Sequence, residues 1–348
     1  MVAVAPGAAN VFVADHQASG KLVVDFSRNP QKFAINRYTQ TVPVDKVTGY
    51  YLEMTVEEAG RILNTDLAEF DWPDGTDAPE DVDGTESHEF KAFLCQRRKF
   101  GARLGDLTVD QASWDIVAKH AAIKAQQAMT ARTQKAIDLL VTAANYASDH
   151  TSAVSSITGN TGKWPASTTA RQDIRRSLNH AAKQILLDTL SAVDPEDLMV
   201  VMSPGCAKEI SESQEIVDYI KGSPAAWASI NGDLADQNRN VGFGLPPSLY
   251  GYEVVVEKTS KVTSRKGATK VSSFVLADAT PFMCSRPGGL EGLAGAPSFA
   301  TCTGFMQEEM TAQTKNDPDN RLTRVRVVEN YDYILTAPVS GFLFTAAV

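Results

Sequence analysis

From Thr108 to about Asn145 the chain contains neither glycine nor proline, and no other stretch restricts its fold as strongly. It opens on Thr108-Val109-Asp110-Gln111, a capping box in which the Thr hydroxyl and a side chain three residues on satisfy free N–H groups. Trp114, Ala118, Ala121, Ala125, Met129, Ala136, Leu140 and Ala143 recur on one face at helical spacing. One helix of about 36 residues, about 54 Å long, is predicted. Its alanine-rich stripe lets neighbouring elements approach closely.

What precedes this helix cannot fold by itself. Residues 1–35 lack a helical period and read as an extended arm. From Thr41 to Met54 the β-branched and aromatic content favours a strand that Asp45 to Gly49 can bend, and Thr55-Val56-Glu57-Glu58 has the spacing to open a short helix through Ile62. Between Asp66 and Glu86 stand nine carboxylates and no Lys or Arg, among Pro73, Pro79, Gly75 and Gly84, as in an exposed loop. Glu89 to Arg103 then fits a second strand in which Phe90, Phe93, Leu94 and Phe100 mix with Lys91, Arg97, Arg98, Lys99 and Arg103. Two strands joined by an acidic tip make a ribbon with too little side-chain volume for a core of its own. Such a ribbon must lie on something else.

After a Ser/Thr/Gly/Asn-rich stretch, 147–168, Thr169-Ala170-Arg171-Gln172 opens a helix ending near Ala192, with Ile174, Leu178, Ala181, Ile185 and Leu186 on a common side. Leu198 to Met202 is a compact apolar strand, and Ser203-Pro204 sets an N-cap serine before a first-turn proline. Short helices are expected from Pro204 to Glu212 and from Gln214 to Lys221, and strands from Tyr252 to Val256, Ser273 to Ala277, Thr301 to Thr311, Arg321 to Leu335 and Phe342 to Phe344. The order places one discontinuous unit, the long helix and the final strands, around an inserted α/β region.

Composition narrows the function. The net charge of -9 argues against a protein whose main work is gripping nucleic acid, since phosphate binding needs a dense Lys/Arg surface. No apolar run approaches the length of a bilayer span, and Met1 to Asn10 has neither the basic start nor the apolar core of a secretory signal, so no membrane role and assembly in a cytoplasm are expected. Cys95, Cys206, Cys284 and Cys302 lack C-x-x-C spacing and read as buried thiols.

No chemistry emerges from the motifs. Gly159-Asn160-Thr161-Gly162-Lys163 has two residues between its glycines where a phosphate loop has four, and Trp164 follows the lysine. Gly242-Phe243-Gly244 lacks the third glycine of a dinucleotide site, and Asp81-Val82-Asp83-Gly84 lacks the outer ligands of a calcium loop. His16, His88, His120, His150 and His180 lie far apart, none at metal-ligand spacing. There is no G-x-S-x-G elbow. No catalytic, cofactor-binding or metal site is expected.

In this order the elements resemble the α+β major capsid protein fold of tailed bacteriophages, shared by the encapsulins. Leu198-Met199-Val200-Val201-Met202-Ser203-Pro204 with its short helices is similar to the axial-domain strand and helix. Leu249-Tyr250-Gly251-Tyr252-Glu253-Val254-Val255-Val256 is similar to the strand entered through a glycine turn, and Arg324 to Ile334 to the C-terminal peripheral strand. The resemblance implies an N-terminal arm at 1–35, an extended β-ribbon loop at 36–107, the spine helix of a peripheral domain at 108–160, an α/β axial domain at 161–300 and peripheral strands at 301–348.

It further implies a structural subunit, not an enzyme and without a cofactor. Through pentamers and hexamers the subunit assembles in the host bacterial cytoplasm into an icosahedral shell around double-stranded DNA, residing thereafter in the virion. The implied partners are further copies of the chain, with portal, scaffolding or decoration proteins and weakly contacted DNA. Lys91, Arg97, Arg98, Lys99 and Arg103 are the candidate subunit-interface residues. Some relatives cross-link a loop lysine to an asparagine, for which Lys91 or Lys99 and Asn316, Asn320 or Asn330 are available, although ordinary salt bridges are the simpler role for these lysines. The alternatives are an encapsulin shell around a cargo enzyme and a monomeric α/β binding protein.

Overall fold

The structure, a computed structural model, describes residues 33–54, 74–75, 88–112, 115–221, 245–265, 267–285 and 300–348. The arm before residue 33, the Thr55 capping box, the acidic stretch Asp66 to Glu86 apart from Asp74 and Gly75, and the Gly242 turn lie outside these residues. The chain divides into two compact units. In one, Gln96–Arg132 combines with Glu308–Asn330; the other holds Ala34–Cys95, Thr133–Gln307 and Tyr331–Val348.

Strands in the described residues are β1 (Gln40–Pro43), β2 (Thr48–Met54), β3 (His88–Leu94), β4 (Gln96–Gly105), β5 (Thr151–Ala153), β6 (Leu198–Met202), β7 (Ser248–Leu249), β8 (Tyr252–Val256), β9 (Ser260–Val262), β10 (Ser272–Phe274), β11 (Phe282–Ser285), β12 (Cys302–Asp317), β13 (Leu322–Leu335) and β14 (Phe342–Thr345). The helices are α1 (Ile35–Tyr38), α2 (Asp106–Gln111), α3 (Ile116–Leu140), α4 (Asp173–Asp188), α5 (Pro204–Glu212) and α6 (Gln214–Lys221).

The larger unit is built on a six-stranded sheet in the order β5-β14-β11-β6-β8-β7. Every residue of β6 is buried, as its uninterrupted apolar run requires of a central strand. It pairs in parallel with β8 and antiparallel with β11. The Ser203 side chain accepts from the Cys206 N–H at 3.1 Å, with Pro204 in the first turn of α5. Ile174, Leu178, Ala181 and Ile185 of α4 pack into the same core as Val200, Phe342 and Phe344. In this unit β1 also runs parallel to the start of β12, from Gln40 opposite Thr303 to Pro43 opposite Met306. In the smaller unit β13 neighbours β4.

Four expectations are corrected. The long helix is two: α2 ends at Gln111, Ala112 is extended, and α3 starts at Ile116. Asp115 accepts from the Ala118 N–H at 2.9 Å, and this N-cap starts a new helix inside the stretch. The other end stops at Leu140, where Asn145 Nδ2 and the Tyr146 hydroxyl donate to the Leu139 and Leu140 carbonyls, and Ala143–Asn145 is a 3₁₀ turn. Of the described stripe residues, Met129, Ala136 and Leu140 are buried, whereas Ala118 and Ala143 are exposed and Ala121 and Ala125 are half-buried.

The second correction is that Glu89 to Arg103 is not one strand. The β2–β3 ladder ends with Thr48 opposite Leu94 and a last bond from the Cys95 N–H to the Val47 carbonyl at 2.8 Å, and beyond Cys95 the chain runs on as β4, which joins β13. Third, α4 starts at Asp173 instead of Thr169, because its first N–H groups are capped by a carboxylate from elsewhere: Glu215 accepts from Ile174 N at 3.1 Å and Arg175 N at 3.2 Å. Fourth, the strand expected at Ser273 to Ala277 covers Ser272–Phe274 and forms a hairpin with β9; Val275 and Leu276 turn into the interior.

Candidate functional site

The β2–β3 ribbon has two different faces. Cross-strand partners share a face, so Tyr50 opposite Ala92 and Thr48 opposite Leu94 line one side together with Phe90. On that side Tyr50 is 75% exposed, Phe90 68% and Leu94 51%. The other side carries Phe93 and Tyr51. Phe93 stacks on Phe305 with ring centroids 4.4 Å apart and planes 7° from parallel, and Tyr51 lies 5.7 Å from the same ring. Glycine at position 49 makes room, since a Cβ there would stand 2.6 Å from the Phe93 ring. The ribbon is thus anchored by one aromatic face and presents an uncovered apolar face outward.

The five candidate interface residues do not sit together. Lys91 is on β3, on the Phe93 side. Arg97, Arg98, Lys99 and Arg103 are on β4, in the smaller unit and off the ribbon. Strand alternation separates them again: Arg97, Lys99 and Arg103 are exposed on one side, and Arg98 shares the half-buried side with Phe100 and Leu104. Arg97 Nε lies 3.6 Å from Glu308 Oε2, with 69% of its side chain exposed. Of the asparagines, Asn330 is buried, while Asn316 and Asn320 are exposed and Asn320 donates to Asp317 Oδ2 at 3.1 Å.

Thr169, Gln172, Arg175, Asn179, Asp218, Tyr219 and Tyr250 line a cavity of about 350 Å³ with Glu215. Glu215 is occupied in capping α4, with the Ser167 and Tyr250 hydroxyls as further donors, and burial with this bond raises the Tyr250 pKa. Lys163, at the end of the expected non-phosphate loop, donates to the Val348 main-chain oxygen at 2.8 Å, and Trp164 is buried. All four cysteines are free and buried. Burial raises the thiols of Cys95, Cys206 and Cys284 and pushes Cys302 up to about 12, which leaves them protonated and poor nucleophiles.

One cluster escaped the sequence reading. Asp149 and His150, in the 3₁₀ turn Ser148–His150, meet Asp188 at the end of α4, with ligand-capable atoms of all three within 4.8 Å of one another. Separations of 1 and 38 residues carry no recognisable spacing.

No family model matches the sequence, and no curated protein is similar to it. Among solved structures the chain is similar to a phage-related protein from Bordetella bronchiseptica RB50, at 12% identity and TM-score 0.57, over 92% of this chain and 93% of that one. It is similar to the mature capsid of bacteriophage PhiM1, at 12% identity and TM-score 0.53, over 94% and 90%. For the capsid of cyanophage P-SCSP1u the identity is 11% and the TM-score 0.55, over 94% and 91%. The likeness runs the length of the chains, and the fold is that of phage capsid proteins.

Proposed function

We propose that this chain is the major capsid protein of a tailed bacteriophage, a structural subunit without catalytic activity that assembles through pentamers and hexamers into an icosahedral shell around double-stranded DNA. The outward face of the ribbon carries the proposal. Three large apolar side chains, Tyr50, Phe90 and Leu94, stand exposed on a two-stranded element that has no core of its own, and such a patch calls for a covering partner. In a closed shell the partner is a neighbouring copy. The uncovered start of α3, where Ala118 is exposed, offers a second surface where small side chains admit close approach.

Under this reading residues 1–35 are the arm, 36–107 the extended loop, 108–160 the spine of a peripheral domain, 161–300 the axial domain and 301–348 the returning peripheral strands. The exposed row Arg97, Lys99 and Arg103, with Lys91 and Arg98, meets acidic surface on adjacent subunits. The acidic balance of the chain keeps the shell lining weakly repulsive to DNA, so the genome slides during filling. Assembly takes place in the bacterial cytoplasm with portal, scaffolding or decoration proteins as partners, and the product is the virion shell. Sedimentation velocity of the purified full chain over a concentration series tests the proposal: capsomers or larger closed species are expected, and a monomer at every concentration contradicts it.

A further inference from the structure

His150 is fully buried, and both of its ring nitrogens face acceptors. Nδ1 lies 2.7 Å from the Gly341 carbonyl oxygen, which can only accept, so Nδ1 carries a hydrogen. In the neutral ring Nε2 then holds a lone pair, directed at Asp188 Oδ2 only 2.5 Å away. Two acceptors at that distance require positive charge between them. A proton fits so short a contact but serves that one pair and leaves Asp149 with the Gln184 amide. A divalent cation, with ligands about 2.0–2.2 Å away, would spread the His150–Asp188 contact to about 3 Å and use all three groups.

Three further features favour the cation. Gln184 Nε2 donates to Asp149 Oδ2 at 2.9 Å and to Asp188 Oδ2 at 3.1 Å, so one amide steadies both carboxylates from the side, as outer-sphere groups do around metal ligands. The bond from Nδ1 to a backbone carbonyl is the usual way a ligating histidine is fixed in its tautomer. Asp188 is also the last residue of the 16-residue α4, where the helix dipole already places negative charge, so its carboxylate is misplaced unless a cation accompanies it. Asp149 is exposed and the Asp188 side chain 33% exposed, which leaves a path from solvent and room for water ligands.

We propose that Asp149, His150 and Asp188 form a binding site for a divalent transition-metal cation of the Zn²⁺ class, which ties the turn before β5 to the end of α4. One imidazole nitrogen and two carboxylate oxygens suit Zn²⁺ or a neighbouring transition ion better than Ca²⁺ or Mg²⁺, which favour all-oxygen shells. The site lies within one chain and does not depend on the capsid reading.

The test is isothermal titration of ZnCl₂ into the chelator-stripped full chain, with the visible spectrum of added Co²⁺ as a second readout, on wild type and on Asp149→Asn. Asp149 is exposed, so its amide variant folds, and a proton-only pair between His150 and Asp188 would not need it. Saturable binding at one ion per chain, weakened at least about tenfold in Asp149→Asn and accompanied in wild type by Co²⁺ bands of a mixed nitrogen–oxygen site, is expected. Absence of saturable wild-type binding, or equal affinity in Asp149→Asn, overturns the proposal. Asp188→Asn adds an independent arm, in which retention of full affinity also overturns it.

Discussion

Removing Glu329 should damage this protein more than almost any other single side chain. Its carboxylate is fully buried on β13 and takes a 2.6 Å bond from Arg132 Nη2 on α3, whose side chain is 9% exposed. The other carboxylate oxygen, Oε1, has no hydrogen-bond partner among the described residues. At an effective dielectric of about 20, two unit charges about 4 Å apart attract by about 4 kcal/mol, while taking each ion out of water costs several kcal/mol, so the intact pair contributes little net stability. Deleting one partner is different. Glu329→Leu takes from the buried guanidinium its 2.6 Å carboxylate partner, at a cost of about 3–5 kcal/mol, a large share of a domain stability of about 5–15 kcal/mol. The double variant Arg132→Met with Glu329→Leu removes both ions at similar volume and should recover most of that loss. Urea unfolding of the three proteins, followed by circular dichroism, measures it. A Glu329→Leu midpoint equivalent to less than about 1 kcal/mol of destabilisation, or a double variant no more stable than the single, would refute the reasoning.

Three other outcomes are expected. Tyr50→Ser with Phe90→Ser should leave the circular dichroism spectrum unchanged while shifting sedimentation towards small species, because both side chains are exposed in the single chain; unchanged shells would show that the ribbon face is ordinary surface. Arg97→Glu with Lys99→Glu should likewise spare the fold, since both side chains are exposed and a pair such as Arg97 with Glu308 is worth about 0–1 kcal/mol, yet block or misdirect assembly under electron microscopy. The buried thiols set a pH limit. Because burial lifts Cys302 from 9.0 to about 12, the native chain stays protonated where the unfolded chain ionises, so stability is complete below about pH 9 and declines from there towards pH 12. Denaturant midpoints at pH 8 and pH 10 check the sign, and a thiol reagent at pH 8 should find all four cysteines only after unfolding.

Where the signal was local, the sequence was readable. The run Leu198 to Met202 could be nothing but a central strand, and Ser203-Pro204 marked the start of α5 without help from distant groups. The aromatic content of the ribbon announced an element in need of partners, although only the register with β2 shows that Phe90 and Leu94 face away from Phe93. Long-range choices were hidden. Thr108 offered a helix start by its spacing, yet α2 begins at Asp106 with Gly105 as N-cap and no side-chain cap, and no local signal announced that Asp115 would start a second helix. Glu215 caps a helix that begins 42 positions earlier, and the end of the β2–β3 ladder at Leu94 moved four basic residues from ribbon to sheet. His150 meets Gly341 across 191 residues, a juxtaposition that only the closing of the six-stranded sheet produces.

Whether the chain builds a shell is decided most directly by negative-stain electron microscopy of the purified full-length protein, expressed alone and with its genomic neighbours. The account predicts closed, icosahedral particles of uniform size, or rings of five and six subunits that close when a partner is present. A field of dispersed monomers under every condition would contradict it.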